Sequence, residues 1–150
     1  MRVTGLDHVS VTVGDLERSL AFYHGLLGIP LIGTGEETSA AGATIVGFPG
    51  ARVRYADLDL GSGQILELLQ YLAPTGSALT QDVCDPGSGH LALRVDDIAT
   101  MLRHLVQAGV PARSEPVEIP GPEAWRGARC VYVRDPDGVT VELIERPFPA

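Results

Sequence analysis

Two histidines and two glutamates, His8, Glu67, His90 and Glu142, are the residues of this 150-residue chain whose types and spacing point to chemistry. They recur in matched settings. LDHVSVTVGDLERSLAFYHGLLGIP, from Leu6, and GHLALRVDDIATMLRHLVQAGVP, from Gly89, share one order of features: a His-led alternating stretch, an Asp, an amphipathic stretch and a closing Gly-x-Pro. GQILELLQ from Gly63 aligns with GVTVELIE from Gly138, which sets Glu67 opposite Glu142. A lone His at a strand start is more often a hydrogen-bonded core or surface residue, and a lone Glu can simply face solvent on an edge strand. The matched placement in both halves selects a metal-binding reading instead. Two neutral imidazoles and two carboxylates make an N/O ligand set whose charge cancels a divalent cation, and it suits Ni, Co, Zn, Mn or Mg. With coordination positions left for two adjacent substrate oxygens, such a centre would stabilise an enolate. A glutamate able to leave the metal would then serve as base beside the substrate C–H, with Glu142 and Glu67 the candidate catalytic pair.

The elements that must position these residues follow from pattern. β-Branched, alternating runs bounded by Gly, Pro and Asp predict strands over about Thr4 to Val13, Val53 to Leu60, Gln64 to Tyr71, Gly89 to Val95, Arg129 to Arg134 and Val139 to Glu145. Strand parity puts Glu67 on the face of Ile65, Leu69 and Tyr71, and Glu142 on the face of Thr140 and Ile144. A carboxylate in such company needs a partner, because burying an unpaired charge costs on the order of several kcal/mol. Asp15 and Asp97 are placed to cap two helices, and Gly28 and Gly109 to end them in a left-handed conformation. In the first helix Leu16, Leu20, Tyr23 and Leu27 mark the buried face, and Glu17, Arg18 and His24 the exposed one. His24 and His104 read as surface groups, and DPDG from Asp135 as a turn. Two irregular stretches, from Gly33 and from Ser114, read as short strands or flaps, and Phe48, Trp125 and Tyr132 are candidate lining or packing residues.

Each half is thus expected to be a β-α-β-β-β module, at about residues 4–72 and 87–147, with a turn-rich linker over 73–86. A unit of that size leaves one sheet face bare, so the α+β expectation is a single domain, 1–150, in which two tandem modules join in one curved mixed sheet. The surplus of 19 Asp plus Glu over 11 Lys plus Arg, a net −8, argues against nucleic acid or an anionic membrane as partner. No apolar run approaches the roughly 20 residues of a membrane span. The opening MRVTGLDHVSVTV lacks the features of a signal peptide, so a soluble, cytoplasmic protein is expected. Cys84 and Cys130 form no CxxC pair and are read as reduced thiols.

On the motifs DHVSVTVGDLERSLAFYHGLLG and DPDGVTVELIE, the chain resembles the vicinal oxygen chelate superfamily from Leu6 to Glu145. That superfamily includes glyoxalase I, methylmalonyl-CoA epimerase, extradiol dioxygenases and fosfomycin-resistance proteins. The resemblance implies glyoxalase-like paired modules around a metal cavity, with ligands at His8, Glu67, His90 and Glu142, a small-molecule substrate and a homodimer whose metal site lies within one chain or across two. A His, Glu, His, Glu set looks most like bacterial glyoxalase I, which implies a lyase or isomerase that moves a proton next to a chelated carbonyl. Methylmalonyl-CoA epimerase is the nearest alternative, although it commonly has Gln at the place of Glu67. A binding protein that sequesters a drug or metabolite, and an Fe(II) ring-cleaving dioxygenase, are further alternatives that use fewer ligands. Arg2, Arg54, Arg126 and Arg129 are available cations, and the resemblance assigns none of them to glutathione.

Overall fold

The computed structural model describes residues 1–78, 80–121 and 125–147. Leu79 in the expected linker, residues 122–124 in the second irregular stretch and residues 148–150 lie outside the described residues. The chain forms two compact units, Met1–Ala78 and Leu79–Ala150. No described helix is long and apolar enough to cross a membrane.

The first unit contains β1 (His8–Thr12), α1 (Leu16–Leu20), β2 (Leu31–Glu37), α2 (Ala40–Val46), β3 (Arg52–Gly61) and β4 (Gln64–Ala73). Its sheet runs β1-β4-β3-β2, with β1 parallel to β4 and the other neighbours antiparallel. The second unit contains β5 (His90–Arg94), α3 (Ile98–Gln107), β6 (Val117–Glu118), β7 (Arg129–Arg134) and β8 (Thr140–Glu145). Its sheet repeats the plan as β5-β8-β7-β6, with β5 parallel to β8. The α+β two-module architecture is therefore present, and the curved sheet expected from the sequence is divided, at the level of backbone ladders, into one four-stranded sheet per module.

Parallel neighbours need a crossover, and in each unit a helix supplies it. Asp15 accepts a hydrogen bond from the Arg18 N–H at 3.1 Å, and Asp97 one from the Thr100 N–H at 3.0 Å, so both expected caps are formed. Gly28 and Gly109 close the helices at φ of 71° and 84°, where a side chain would be strained. Beyond α1 the helix widens over Ala21–Leu26, where the Leu27 N–H reaches back to the Phe22 carbonyl at 2.9 Å. The buried face falls on Leu16, Ser19, Phe22 and Tyr23, while Leu20 and Leu27 are only partly covered, a correction to the stripe read from 3.6-residue spacing. In unit two Ile98, Leu102 and Leu105 line the buried face of α3, which packs on β8.

Each helix covers one sheet face. Leu66 and Leu68 on β4 and Val141 and Leu143 on β8 are fully buried, each burial contributing about 1.5–3 kcal/mol, and the residues between them turn to the opposite face. β1 begins at His8 rather than Thr4 because its partner β4 starts at Gln64, after the turn at Gly61–Gly63, and the preceding residues have nothing to pair with. The stretch from Gly33 is more regular than expected: it supplies the end of β2 and all of α2, capped by Ser39 and closed by Gly47 at φ 75°. Asp135 holds its turn as expected, accepting from the Asp137 and Val139 N–H groups at 2.9 and 2.7 Å. Asp82 is bound by Arg113 and Arg134, which fastens the approach to β5 onto the second unit.

Two side chains yield direct tests. The Ser19 hydroxyl is fully buried and has no hydrogen-bond partner among the described residues. Ser19→Ala is expected to raise the unfolding free energy by up to about 1 kcal/mol, measured by thermal denaturation, since it removes an unsatisfied polar group. Glu145 accepts from the Ile98 N–H at 2.8 Å and from Arg129 at 2.6 Å, and these partners hold its carboxyl below the usual range. A carboxyl with a depressed folded pKa stabilises above its unfolded pKa and ceases to do so as pH falls through the folded one. Glu145→Gln is expected to cost about 1 kcal/mol at neutral pH, with the difference from wild type vanishing in acid, as read by chemical denaturation.

Candidate metal centre

In the first unit, parallel register places Ser10 opposite Glu67 and His8 opposite Ile65. Side chains two apart on a strand share a face, so His8, Ser10 and Glu67 emerge together on the side away from α1. His8 Nε2 lies 3.8 Å from Glu67 Oε2, and the two side chains are half and about a quarter exposed. The other ring nitrogen, Nδ1, is 2.9 Å from Asp7 Oδ1. An Nδ1–H donated to Asp7 leaves the Nε2 lone pair facing the glutamate, the arrangement that suits a metal-ligating imidazole. The hydrogen bond to Asp7 is also the main cause that raises the His8 pKa, with the charges of Glu67, Asp7 and Asp57 adding to it against partial desolvation. Ser10 Oγ donates to Glu67 Oε2 at 2.6 Å. On the other flank Asp57 stands opposite Glu67 in the antiparallel ladder. Burial, then the charge of Glu67, pushes the Asp57 carboxyl up, with His8 opposing them.

The second unit repeats the placement with different neighbours. His90 Nε2 lies 3.1 Å from Glu142 Oε2, and the Glu142 side chain is only 13% exposed, against 27% for Glu67. Parallel register sets Ala92 opposite Glu142, and the antiparallel ladder sets Tyr132 on its other side. The Tyr132 ring is tilted against His90, with centroids 5.4 Å apart. Burial and the Glu142 charge push both the Cys130 thiol and the Tyr132 hydroxyl up, and the thiol is hydrogen-bonded to Glu142. Both groups therefore stay protonated beside the carboxylate at neutral pH.

Each unit thus brings together one imidazole nitrogen and one carboxylate, the donors that a hard-to-borderline divalent cation accepts. Among the described residues, no group of three or more His, Cys, Asp or Glu is placed to hold an ion, so the four expected ligands are brought together only as two pairs. The remaining sequence candidates lie elsewhere. Phe48 meets Tyr71 edge-on at 6.4 Å, and Trp125 lies 4.2 Å beneath the Arg146 guanidinium. His24 and His104 are exposed, and Cys84 and Cys130 are free thiols. Asp7, Ser10, Asp57 and Cys130 are the site neighbours that pattern alone does not expose. Asp7 stands directly before His8, but Gly89 holds the matching place, so the repeat gives no signal for it.

Comparisons with known proteins identify the family of the chain. The model of the glyoxalase/bleomycin resistance protein/dioxygenase superfamily matches residues 5–143. The chain is 34% identical to 2-epi-5-epi-valiolone epimerase from an Actinomyces species, over 95% of this chain and 80% of that one. It is 32% identical to the lactoylglutathione lyase of Salmonella typhimurium, over 92% and 90% respectively. Among solved structures, a glyoxalase family protein from Bacillus cereus superposes with a TM-score of 0.85 at 24% identity, covering 97% of this chain and 95% of that one.

The neighbours of Glu142 give a chemical test of the second half. Thiolate, not thiol, is the nucleophile, so a thiol held protonated reacts slowly. Iodoacetamide at neutral pH is expected to label exposed Cys84 well before Cys130, as followed by peptide mass spectrometry. Comparable rates at the two cysteines would remove the Cys130–Glu142 contact from the description.

Proposed function

The chain belongs to the glyoxalase/bleomycin resistance protein/dioxygenase superfamily, and from that premise we propose that it is a divalent-metal-dependent lyase or isomerase that moves a proton on a carbon next to a carbonyl. The observation that carries the reading is the recurrence of one His–Glu pair at the same place in both sheets. In each, the His is on the outermost parallel strand and the Glu on the strand beside it, with the two nitrogen-to-oxygen approaches at 3.8 and 3.1 Å. Lyase and epimerase relatives at about one-third identity support the same reaction class.

In this proposal His8, Glu67, His90 and Glu142 together hold one cation, drawn from one chain or from two chains of a homodimer. The donor set fits: two neutral nitrogens and two carboxylates balance a charge of +2, and Asp7 sets the tautomer of His8. When bound, the cation would polarise a substrate carbonyl and lower the acidity barrier of the neighbouring C–H. The chain's own carboxylates then do the proton work. A Glu142 oxygen accepts the proton from carbon and returns it to the neighbouring atom, which is isomerisation; epimerisation would need a second acid, with Glu67 the candidate, to deliver a proton to the opposite face of the same carbon. The protonated Cys130 and the Tyr132 ring keep this flank of Glu142 poor in water, which favours a carboxylate as base over its solvated form. An epimerase-type outcome has specific support in the 34% identical relative, and a lyase-type outcome in the 32% identical one.

Elemental analysis of protein purified without chelator is expected to show about one divalent ion per chain, lost when His90 and Glu142 are both changed to Ala. Hemithioacetals of 2-oxoaldehydes and polyhydroxylated cyclic ketones, incubated in D2O, are the first substrates to try. Deuterium entering at the carbon beside the carbonyl is expected with wild type, and Glu142→Gln is expected to slow it by at least roughly 100-fold. Protein that takes up none of Ni, Co, Mn or Zn would overturn the reading.

A further inference from the structure

The row of residues through Glu142 continues past Tyr132 to a cation. An antiparallel bridge joins Ala112 to Val133, and the Arg113 N–H donates to the Tyr132 carbonyl at 2.9 Å. Arg113 therefore stands directly opposite Tyr132, and residues so paired project from the same sheet face. The row reads Arg113, Tyr132, Glu142, Ala92, all on the face that carries Glu142. Arg134 lies two residues along β7 from Tyr132, in the row of His90, so its side chain leaves by that face as well. The matching row of the first sheet is Gly33, Asp57, Glu67, Ser10, with a glycine where the second has a guanidinium. Duplication thus supplies the His–Glu pair twice and this cation once. Burial and the charges of Glu142 and Cys130 push the Tyr132 hydroxyl up, and the Arg113 charge opposes them, so the guanidinium is felt at the phenol beside Glu142.

The present occupant of Arg113 shows what group it takes. One oxygen of the Asp82 carboxylate accepts from Arg113 Nη2 and, at 3.2 Å, from Arg134 Nη2. Arg134 also donates to the Gln81 and Gly138 carbonyls, which tie it to the linker and to the turn before β8. Asp82 is more than half exposed and belongs to a turn-rich stretch, where one carboxylate can be exchanged for another without disturbing a strand or the core.

We propose that Arg113 is a specificity-determining residue that receives a carboxylate at the far end of the substrate, and that Asp82 is its displaceable internal substitute. The proposal rests on the metal-dependent reading above and names the kind of compound that site takes, a carbonyl compound with a carboxylate several bonds away. Two strand spacings, about 10 Å, separate the backbones of Arg113 and Glu142, and the arginine arm closes part of that distance. A planar guanidinium meets a carboxylate through two parallel N–H···O bonds, a fit that a lysine ammonium does not reproduce.

6-Oxoheptanoate and its methyl ester carry the same ketone and differ in charge at the far end. Each is titrated into the protein as purified and followed by calorimetry, and each is incubated in D2O to read exchange at the carbons beside the ketone. Wild type is expected to bind the acid at least about tenfold more tightly than the ester. Arg113→Gln is expected to abolish that preference, and Arg113→Lys to keep only part of it. Asp82→Asn, which removes the internal competitor, is expected to tighten binding of the acid by about threefold or more and not that of the ester. Equal binding of acid and ester by wild type, or a preference that survives Arg113→Gln, would overturn the role of Arg113. Acid affinity unchanged by Asp82→Asn would overturn the role of Asp82. Exchange reads the metal-dependent reaction separately: a preference that depends on Arg113, with no exchange on either compound, would support the carboxylate site and count against that reaction.

Discussion

Parallel pairing of the first and last strands of each unit is the constraint from which the site follows. β1 lies beside β4, and β5 beside β8, with residues matched one to one along both ladders. Parallel neighbours cannot be joined by a tight turn, so a helix must cross over one face of the sheet. That helix claims Leu66 and Leu68, or Val141 and Leu143, for the core. Alternation then sends Glu67 and Glu142 to the other face, where His8 and His90, two residues away from the row of each Glu, come within reach. The caps at Asp15 and Asp97 and the left-handed glycines at 28 and 109 serve this arrangement by starting and stopping each crossover where the parallel strand can form.

Duplication sets the frame, and divergence sets the chemistry. Corresponding positions carry Ser10 and Ala92, Asp57 and Tyr132, Asp7 and Gly89. The first unit surrounds its carboxylate with oxygen, hydroxyl and a second negative charge. The second surrounds its carboxylate with an aromatic ring, a protonated thiol and a methyl group.

Much of this was legible in the sequence because it is periodic or local. His8 with His90 and Glu67 with Glu142 were visible as a repeat, and the two Asp caps and the Asp135 turn as short-range hydrogen-bonding patterns. The rows across the sheet were not, since the contact of Ser10 with Glu67 spans 57 positions and depends on a register that no local pattern states. α2 was hidden by its composition: AAGATIV mixes Gly with β-branched residues, and only Ser39 and Gly47 at its ends betray a helix. The widened turn after α1 was hidden for a related reason, because a 3.6-residue count cannot anticipate where a helix departs from it.

One feature of the strand order bears on how such a site would open. In both sheets the histidine rides on the outermost strand, hydrogen-bonded along one side only within its unit, whereas the glutamate rides on a strand paired along both sides. Outer strands are the first to open in local fluctuations, and their amides exchange with solvent sooner than those of inner strands. The imidazole half of each pair is thus mounted on the more easily peeled part of the sheet and the carboxylate half on the more durable part. The histidine of each pair would thus part from its glutamate whenever β1 or β5 breathes, while the carboxylate kept its place.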